Sequence, residues 1–157
     1  MRIVSVSVGL PRTVEWRGEV VETSIFKSPV HGPVQVEQMN LAGDRQSDLT
    51  VHGGREKAVY AYPAEHYPRW REDLPNVHFD EAAFGENFTT TGTTETNMHI
   101  GDRLRAGTAE FIVTQPRTPC YKLSLRFDRL DMGKRMIVSG RTGFYLSVAR
   151  EGVVTEG

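Results

Sequence analysis

Hydrophobic and polar residues alternate in the first stretch of the chain, where Val4, Val6 and Val8 face one way and Ser5 and Ser7 the other. A period of two predicts a half-buried strand over RIVSVSV, residues 2–8. EVVETSIFK (19–27) and VQVEQMNL (34–41) are rich in β-branched residues and are separated by the turn-forming SPVHGP, which predicts two more strands. RLRA and AEFIVTQ, joined at Gly107, predict a hairpin, and TGFYLSVA (142–149) a late aromatic strand. Helical signal is thinner. PAEHYPRWRED (63–73) predicts one short helix that Pro68 should delay or kink. YKLSLRFDRL (121–130) spaces Leu123, Phe127 and Leu130 four and three apart, and KRMIVSG ends on a glycine suited to cap a helix. Several short strands, few helices and no βαβ rhythm predict a mostly β barrel or sandwich.

Length and composition narrow this picture. A chain of 157 residues with 38% hydrophobic and 25% charged residues, 15 Gly and 8 Pro is expected to form one domain over residues 1–157 with many turns. Nineteen basic against 20 acidic residues give a net charge of -1, so no global field draws it to nucleic acid. The amino terminus lacks the continuous apolar core of a signal peptide, and no segment reaches the roughly 20 apolar residues of a membrane helix. A single cysteine, Cys120, cannot form an internal disulfide, which makes a reducing, cytoplasmic setting the default expectation.

Charge is distributed unevenly. Between Arg117 and Arg141 there are seven basic residues and two acidic ones, and Cys120 stands near the start of that run in VTQPRTPCYKL. A lone cysteine is most often an inert packing group. Pro116 and Pro119, however, hold this one on a constrained turn, and cations beside a thiol favour the thiolate that attacks electrophiles or binds soft metals. The basic excess also suits an anionic ligand, although a solvated face accounts for it equally well.

A second stretch, LAGDRQSDLTVHGGREKAVYAYP (41–63), offers Gly53 and Gly54 for close backbone approach and Arg55 and Lys57 for phosphate. Its spacing is not that of a P-loop, and a tight turn between strands explains the glycines on their own. His52 has no zinc-site spacing with the other four histidines or with Cys120. FGENFTTTG (84–92) places Glu86 and Asn87 at a glycine turn, as polar groups for a heterocycle or as the start of a strand. No nicotinamide or flavin fingerprint is present.

Taken in order, GDRQSD, HGGREKAVYAYP with EHYPRW behind it, FGENFT, IGD, QPRTPCYKL and SGRTGFYLSV resemble the MOSC domain family, and within it the YiiM-type branch of hydroxylaminopurine reductases. The resemblance covers about residues 3–152. It implies a mixed β-barrel and a molybdenum cofactor, an anionic pterin dithiolene with a phosphate tail, whose metal is ligated by Cys120. By position in the motifs it places Arg117 and Tyr121 beside the cysteine, and His52, Gly53, Gly54 and Lys57 around the pterin and phosphate, with Glu86 and Asn87 completing the pocket. His52 or Glu86 is the candidate proton donor, and Asp44 and Asp48 are candidates to order the glycine loop. The implied activity is reduction of N-hydroxylated compounds, hydroxylaminopurines or amidoximes, to amines, fed by a separate reductase. A non-catalytic carrier of the cofactor or its sulfur, and a metal-free thiol enzyme, are the rival readings. Neither nucleic acid nor membrane is an expected partner, and a second copy of the chain is a candidate one. YiiM-type relatives continue past the barrel with a strand and a small helical region, whereas this chain ends at VVTEG. Closure of the barrel's last edge, dimer contacts and reductase docking are therefore the features expected to differ.

Overall fold

The first strand forms as the alternation predicts, β1 (Arg2–Val8), and the computed structural model, which describes residues 1–47 and 53–157, continues from it in short strands. β2 (Arg12–Trp16) and β3 (Glu19–Thr23) make a hairpin around Arg17 and Gly18, both at positive φ (53° and 80°). Two positive-φ residues give the turn whose twist matches that of the flanking strands. β4 (Ser28–Pro29) and β5 (Val34–Val36) follow, then a single 3₁₀ turn at Arg55–Lys57, β6 (Val59–Pro63), α1 (His66–Asp73) and β7 (Phe88–Thr91). β8 (Arg103–Ala106), β9 (Ala109–Pro116), α2 (Tyr121–Phe127), α3 (Met132–Ser139), β10 (Phe144–Arg150) and β11 (Gly152–Val154) complete it.

Seven of the strands form one curled, half-barrel sheet in the order β4-β1-β7-β6-β10-β9-β8. Every pairing in it is antiparallel except β6 with β7. That parallel pair is joined through α1, so one βαβ crossover exists where the sequence showed no such rhythm. The reason is visible in β6: all five residues of VYAYP are buried, which removes the alternation that marks a strand. The mixed β-barrel class with a few short helices holds.

Two apolar clusters flank the sheet. Inside the curl, Val6, Val59, Phe88, Phe111 and Leu146 pack with Val34 and Val36 of β5 and Val154 of β11. On the other side of β6, Tyr62, Tyr67, Trp70, Phe79 and Phe84 pack against Leu123, Met132 and Met136 of α2 and α3. Tyr62 and Phe84 stack at 4.4 Å, and Trp70 Nε1 donates to Tyr62 Oη at 2.6 Å, so the one buried indole is satisfied by a phenol that is itself bonded to the Arg141 carbonyl. This aromatic cluster fixes α1 and α2 against β6, and it is α2 that carries Cys120 at its start.

Several boundaries differ from the sequence pattern. The strand expected over 19–27 stops at Thr23, and the next residues turn into a cavity wall. The strand expected over 34–41 stops at Val36, because Glu37 N bonds back to the Asn40 carbonyl and only Leu41 returns to bridge Val36. The helix expected over 121–130 ends at Phe127, where Asp128 adopts a left-handed conformation (φ 49°) and accepts a hydrogen bond from Trp16 Nε1 at 3.1 Å. Aspartate tolerates that conformation better than most residues. Pro68 neither delays nor kinks α1, since it is the third helical residue and its missing N–H is one that the first turn leaves unbonded in any case. Gly140 caps α3 at φ 69°, as expected.

The last edge is tied down within the chain itself: β11 pairs with β5, and Thr108 N bonds the Val153 carbonyl at 3.0 Å. Gly107 makes that contact possible. Its φ is +56°, and a Cβ there would stand 2.0 Å from the Val153 carbonyl oxygen. Gly107→Ala is accordingly expected to lower the unfolding free energy by about 2 kcal/mol or more, measured by urea denaturation, from the clash and the left-handed backbone together. A loss below about 0.5 kcal/mol would mean that the β8–β9 turn and β11 are not packed as described.

Candidate active site

A cavity of about 580 Å³, counted out to its open mouth, lies where four parts of the chain converge. The segment leaving β3 contributes Thr23, Ser24, Ile25 and Lys27, and the loop after β5 contributes Asp44, Gln46 and Ser47. Lys57 and Tyr60 come from the start of β6, with Gly85 and Asn87 just before β7. Arg117, Cys120 and Lys122 come from the β9–α2 connection, and Tyr145 from β10.

Cys120 reaches this wall because Pro116 ends β9 and Pro119 keeps the chain extended until α2 begins. Cys120 is the residue before the helix (φ -117°, ψ 175°), and its carbonyl accepts Leu123 N at 3.0 Å. The side chain is half-buried and lines the cavity instead of entering either apolar cluster. Arg117, three residues earlier, is 8% exposed; it donates to the Phe84 carbonyl and lies with its guanidinium carbon 4.5 Å from the Tyr60 ring centroid. A buried guanidinium stays charged, so its hydrogen bond and its aromatic face are what make that burial tolerable.

Asp44 is the hub of the opposite wall. Its Oδ1 accepts Gly9 N at 2.9 Å and the Lys27 ammonium, and its Oδ2 accepts Asn87 Nδ2 at 2.9 Å. Burial pushes the Lys27 pKa below the ordinary lysine value, and Asp44 works against that shift. Asn87 uses its whole amide: Oδ1 accepts Tyr60 N at 3.1 Å, while Nδ2 donates to the Ser7 carbonyl at 3.2 Å as well as to Asp44. It therefore clamps β1, β6 and the Asp44 loop together, and its role at the cavity is to position Asp44. Lys122 Nζ donates to Ser47 Oγ at 2.8 Å and ties α2 to the same loop.

The residues singled out in the sequence fall into four groups. Cys120, Arg117, Lys57 and Asn87 do meet in one cavity. Gly53, Gly54 and Tyr121 are not in its wall; Gly54 (φ 95°) precedes the 3₁₀ turn, and Tyr121 is 55% exposed. Glu86 is fully buried behind the wall, accepting Tyr67 Oη at 2.5 Å, Thr89 Oγ1 at 3.1 Å and Phe84 N at 3.1 Å. Burial raises its pKa while those three donors partly offset the rise. Glu86 is thus a buried carboxylate behind the residues that line the cavity. His52 and Asp48 lie outside the described residues.

Ser24, Lys27, Tyr60 and Tyr145 line the cavity without having been anticipated. Lys27 did carry a signal, a lone ammonium at the end of the apolar run SIF, where a cation needs a buried partner. Of the seven basic residues between Arg117 and Arg141, only Arg117 and Lys122 face the cavity. Arg129 and Arg135 pair with Asp131, Arg126 with Asp80, and Arg141 with Asp73 while covering the Trp70 ring at 3.7 Å. Most of that local excess is thus a balanced surface. The cavity itself is not balanced, for among the described residues four cations (Lys27, Lys57, Arg117, Lys122) face it against the single carboxylate of Asp44.

Comparison with known proteins gives this thiol-bearing, cation-rich cavity a family. The chain belongs to the MOSC domain family, in its YiiM-like branch; the family match spans residues 48–157. The Bacillus subtilis protein YflK is 45% identical over 155 residues, covering 99% of this chain and 70% of that protein. Escherichia coli YiiM is 41% identical over 135 residues, 85% of this chain and 60% of YiiM. A Gibberella moniliformis protein named "Reductase" is 36% identical over 143 residues, of which this chain spans only 25%. The crystal structure of YiiM from Geobacillus stearothermophilus superposes with a TM-score of 0.80 at 38% identity, over 99% of this chain and 71% of that one. The chain therefore spans between a quarter and about seven tenths of these relatives.

Proposed function

We propose that this chain is a molybdenum-cofactor-dependent reductase of N-hydroxylated compounds, with Cys120 as the protein ligand to the metal. The observation that carries the reading is the cavity wall, a thiol beside four cations and one carboxylate. The residues fit the group on two further counts. Ser24 Oγ is buried there without a hydrogen-bond partner in the protein. Cys120 faces the cavity with the soft sulfur that a dithiolene-bound metal takes as a protein ligand. Membership of the MOSC family and likeness to a protein named as a reductase support the same reading.

When bound, the cofactor supplies the two-electron chemistry that cleaves the N–O bond. The balance is R–NHOH plus two electrons and two protons giving R–NH2 and water, the electrons coming from a separate reductase. Arg117 and the lysines hold negative charge in the cavity, and the rings of Tyr60 and Tyr145, 5.3 Å apart between centroids, offer apolar faces to a flat heterocycle. Asp44 and Asn87 hold Lys27 in place while this happens. Among the described residues no helix is long and apolar enough to cross a membrane.

Turnover decides between this and a carrier. Protein made in a host that synthesises the cofactor is expected to reduce benzamidoxime or 6-hydroxylaminopurine through many cycles per molybdenum when given a chemical electron donor. Stoichiometric release of cofactor to an acceptor apoenzyme, with no more than one reduction per metal, would sink the reductase reading.

A further inference from the structure

Two of the motifs read in the sequence, EHYPRW and SGRTGFYLSV, have no part in the function proposed above, and the structure brings them together. Arg141, Thr142 and Gly143 connect α3 to β10, and each of their carbonyls accepts a bond from the neighbouring strands. Arg141 O accepts from Tyr62 Oη at 3.2 Å, Thr142 O from Tyr60 Oη at 2.7 Å and Gly143 O from Arg117 N at 3.2 Å. Tyr60 and Arg117 line the cavity, with the guanidinium carbon 4.5 Å from the ring centroid. This short connection therefore sets two wall residues against one another.

The connection is itself held by a carboxylate. Glu95, in the turn Thr94–Asn97 after β7, accepts Gly143 N on Oε1 and bonds His66 Nε2 through Oε2 at 2.7 Å. His66 opens α1, and its ring meets Tyr62 edge-on at 5.5 Å. The two side chains are only 13% and 19% exposed, so water competes little for these bonds. Burial acts to raise the Glu95 pKa, but the bonds from His66 and the Gly143 amide outweigh it and hold the carboxyl below the ordinary glutamate value. Gly143 has no slack, for its φ is +65° and a Cβ there would stand 2.5 Å from the Ala61 carbonyl oxygen.

We propose that His66 and Glu95 are positioning residues for the cavity: the imidazole orients the carboxylate, the carboxylate fixes Gly143, and the connection holds Tyr60 and Arg117 in the wall. Neither residue lines the cavity, so both act through that connection. The catalytic consequence rests on the reductase reading, whereas the placement of Tyr60 does not.

The test therefore has two readouts. In cofactor-free protein carrying tyrosine isotopically labelled at Cζ, with the Tyr60 signal assigned by Tyr60→Phe, Glu95→Ala is expected to move that signal and leave the exposed Tyr121 in place. Glu95→Gln should return it to the wild-type position, since the amide keeps an acceptor for Gly143 N and a donor for His66. In molybdenum-loaded protein, Glu95→Ala should lower kcat/KM for benzamidoxime about tenfold per bound metal, and Glu95→Gln should restore it to within about twofold. His66→Ala keeps the Glu95–Gly143 bond without its support and should move the Tyr60 signal the same way by less; it carries the test if Glu95→Ala does not fold. An unmoved Tyr60 signal in both alanine variants would overturn the proposal. So would a lowered melting temperature with kcat/KM per metal unchanged, which marks a merely structural pair, or a glutamine variant as impaired as the alanine one. A wild type without turnover would defeat the reductase reading and leave the Tyr60 comparison to stand or fall on its own.

Discussion

Cys120→Ala, produced beside the wild type in a cofactor-competent host, is expected to carry less than about a tenth of its molybdenum and to lose reductase turnover, because metal affinity follows the deprotonated protein ligand. The folded state should barely notice. The side chain belongs to neither apolar cluster, so removing its sulfur leaves no large core cavity and the melting temperature should stay within about 2 °C of the wild type. That contrast separates a metal ligand from a packing residue, since an interior cysteine would lose stability and leave metal content alone. Cys120→Ser tests softness: a hydroxyl of similar shape remains, yet it is a poor ligand for a soft thiolate site, and molybdenum should fall as far as in the alanine variant. Metal analysis with fluorescence of the released, oxidised pterin reads both quantities. Equal molybdenum in wild type and Cys120→Ala would end the assignment of the cysteine as ligand.

Much of the frame was legible because exposed or half-buried elements print their period on the sequence. β1 alternates in residue type, although Ser5 and Ser7 are buried along with Val6, the Gly107 hairpin forms where two β-rich runs meet a glycine, and α3 stops at Gly140. β6 printed nothing, since a strand buried on both faces has no polar phase, and with it went the βαβ crossover at the centre of the sheet. The site divides in the same way. Cys120 and Arg117 stood out because two prolines and a cysteine are rare punctuation. Glu86 and Asn87 sat in a conspicuous motif, but a motif does not say which way a side chain turns: Asn87 reaches the cavity and spends its amide on the backbone, and Glu86 turns inward to Tyr67. Lys27 and Ser24 were hidden because β3 ends four residues before Lys27. The segment after it faces a cavity assembled from stretches as far apart as Thr23 and Tyr145, and no local pattern encodes such a meeting.

Asp44→Ala is expected to be the most destabilising change in the cavity wall, at about 3–5 kcal/mol, the usual cost of stripping one partner from a buried ion pair. Asp44 has a side-chain exposure of 1%, and its loss strands the Lys27 ammonium and Gly9 N and removes one of the two bonds of Asn87 Nδ2. Asn87 also bonds β1 and β6, so the loosened loop should carry the effect into the sheet. Lys27 gives the variant a distinctive pH dependence. Its pKa in the folded wild type already lies below the ordinary lysine value through burial, with Asp44 opposing the shift. Without Asp44 it falls further, so the folded variant sheds this proton at a lower pH than the wild type does. In that window the unfolded variant binds the extra proton, and its stability rises with pH relative to the wild type. The deficit measured by urea denaturation should therefore be smaller at about pH 9 than at about pH 7. Lys27→Met combined with Asp44→Ala should recover part of the loss, because the uncompensated charge is then gone and only the neutral Gly9 N–H has lost its acceptor. A double variant as unstable as the sum of the single ones would show that Lys27 and Asp44 do not act as a pair, and the electrostatic account of this wall would fail with it.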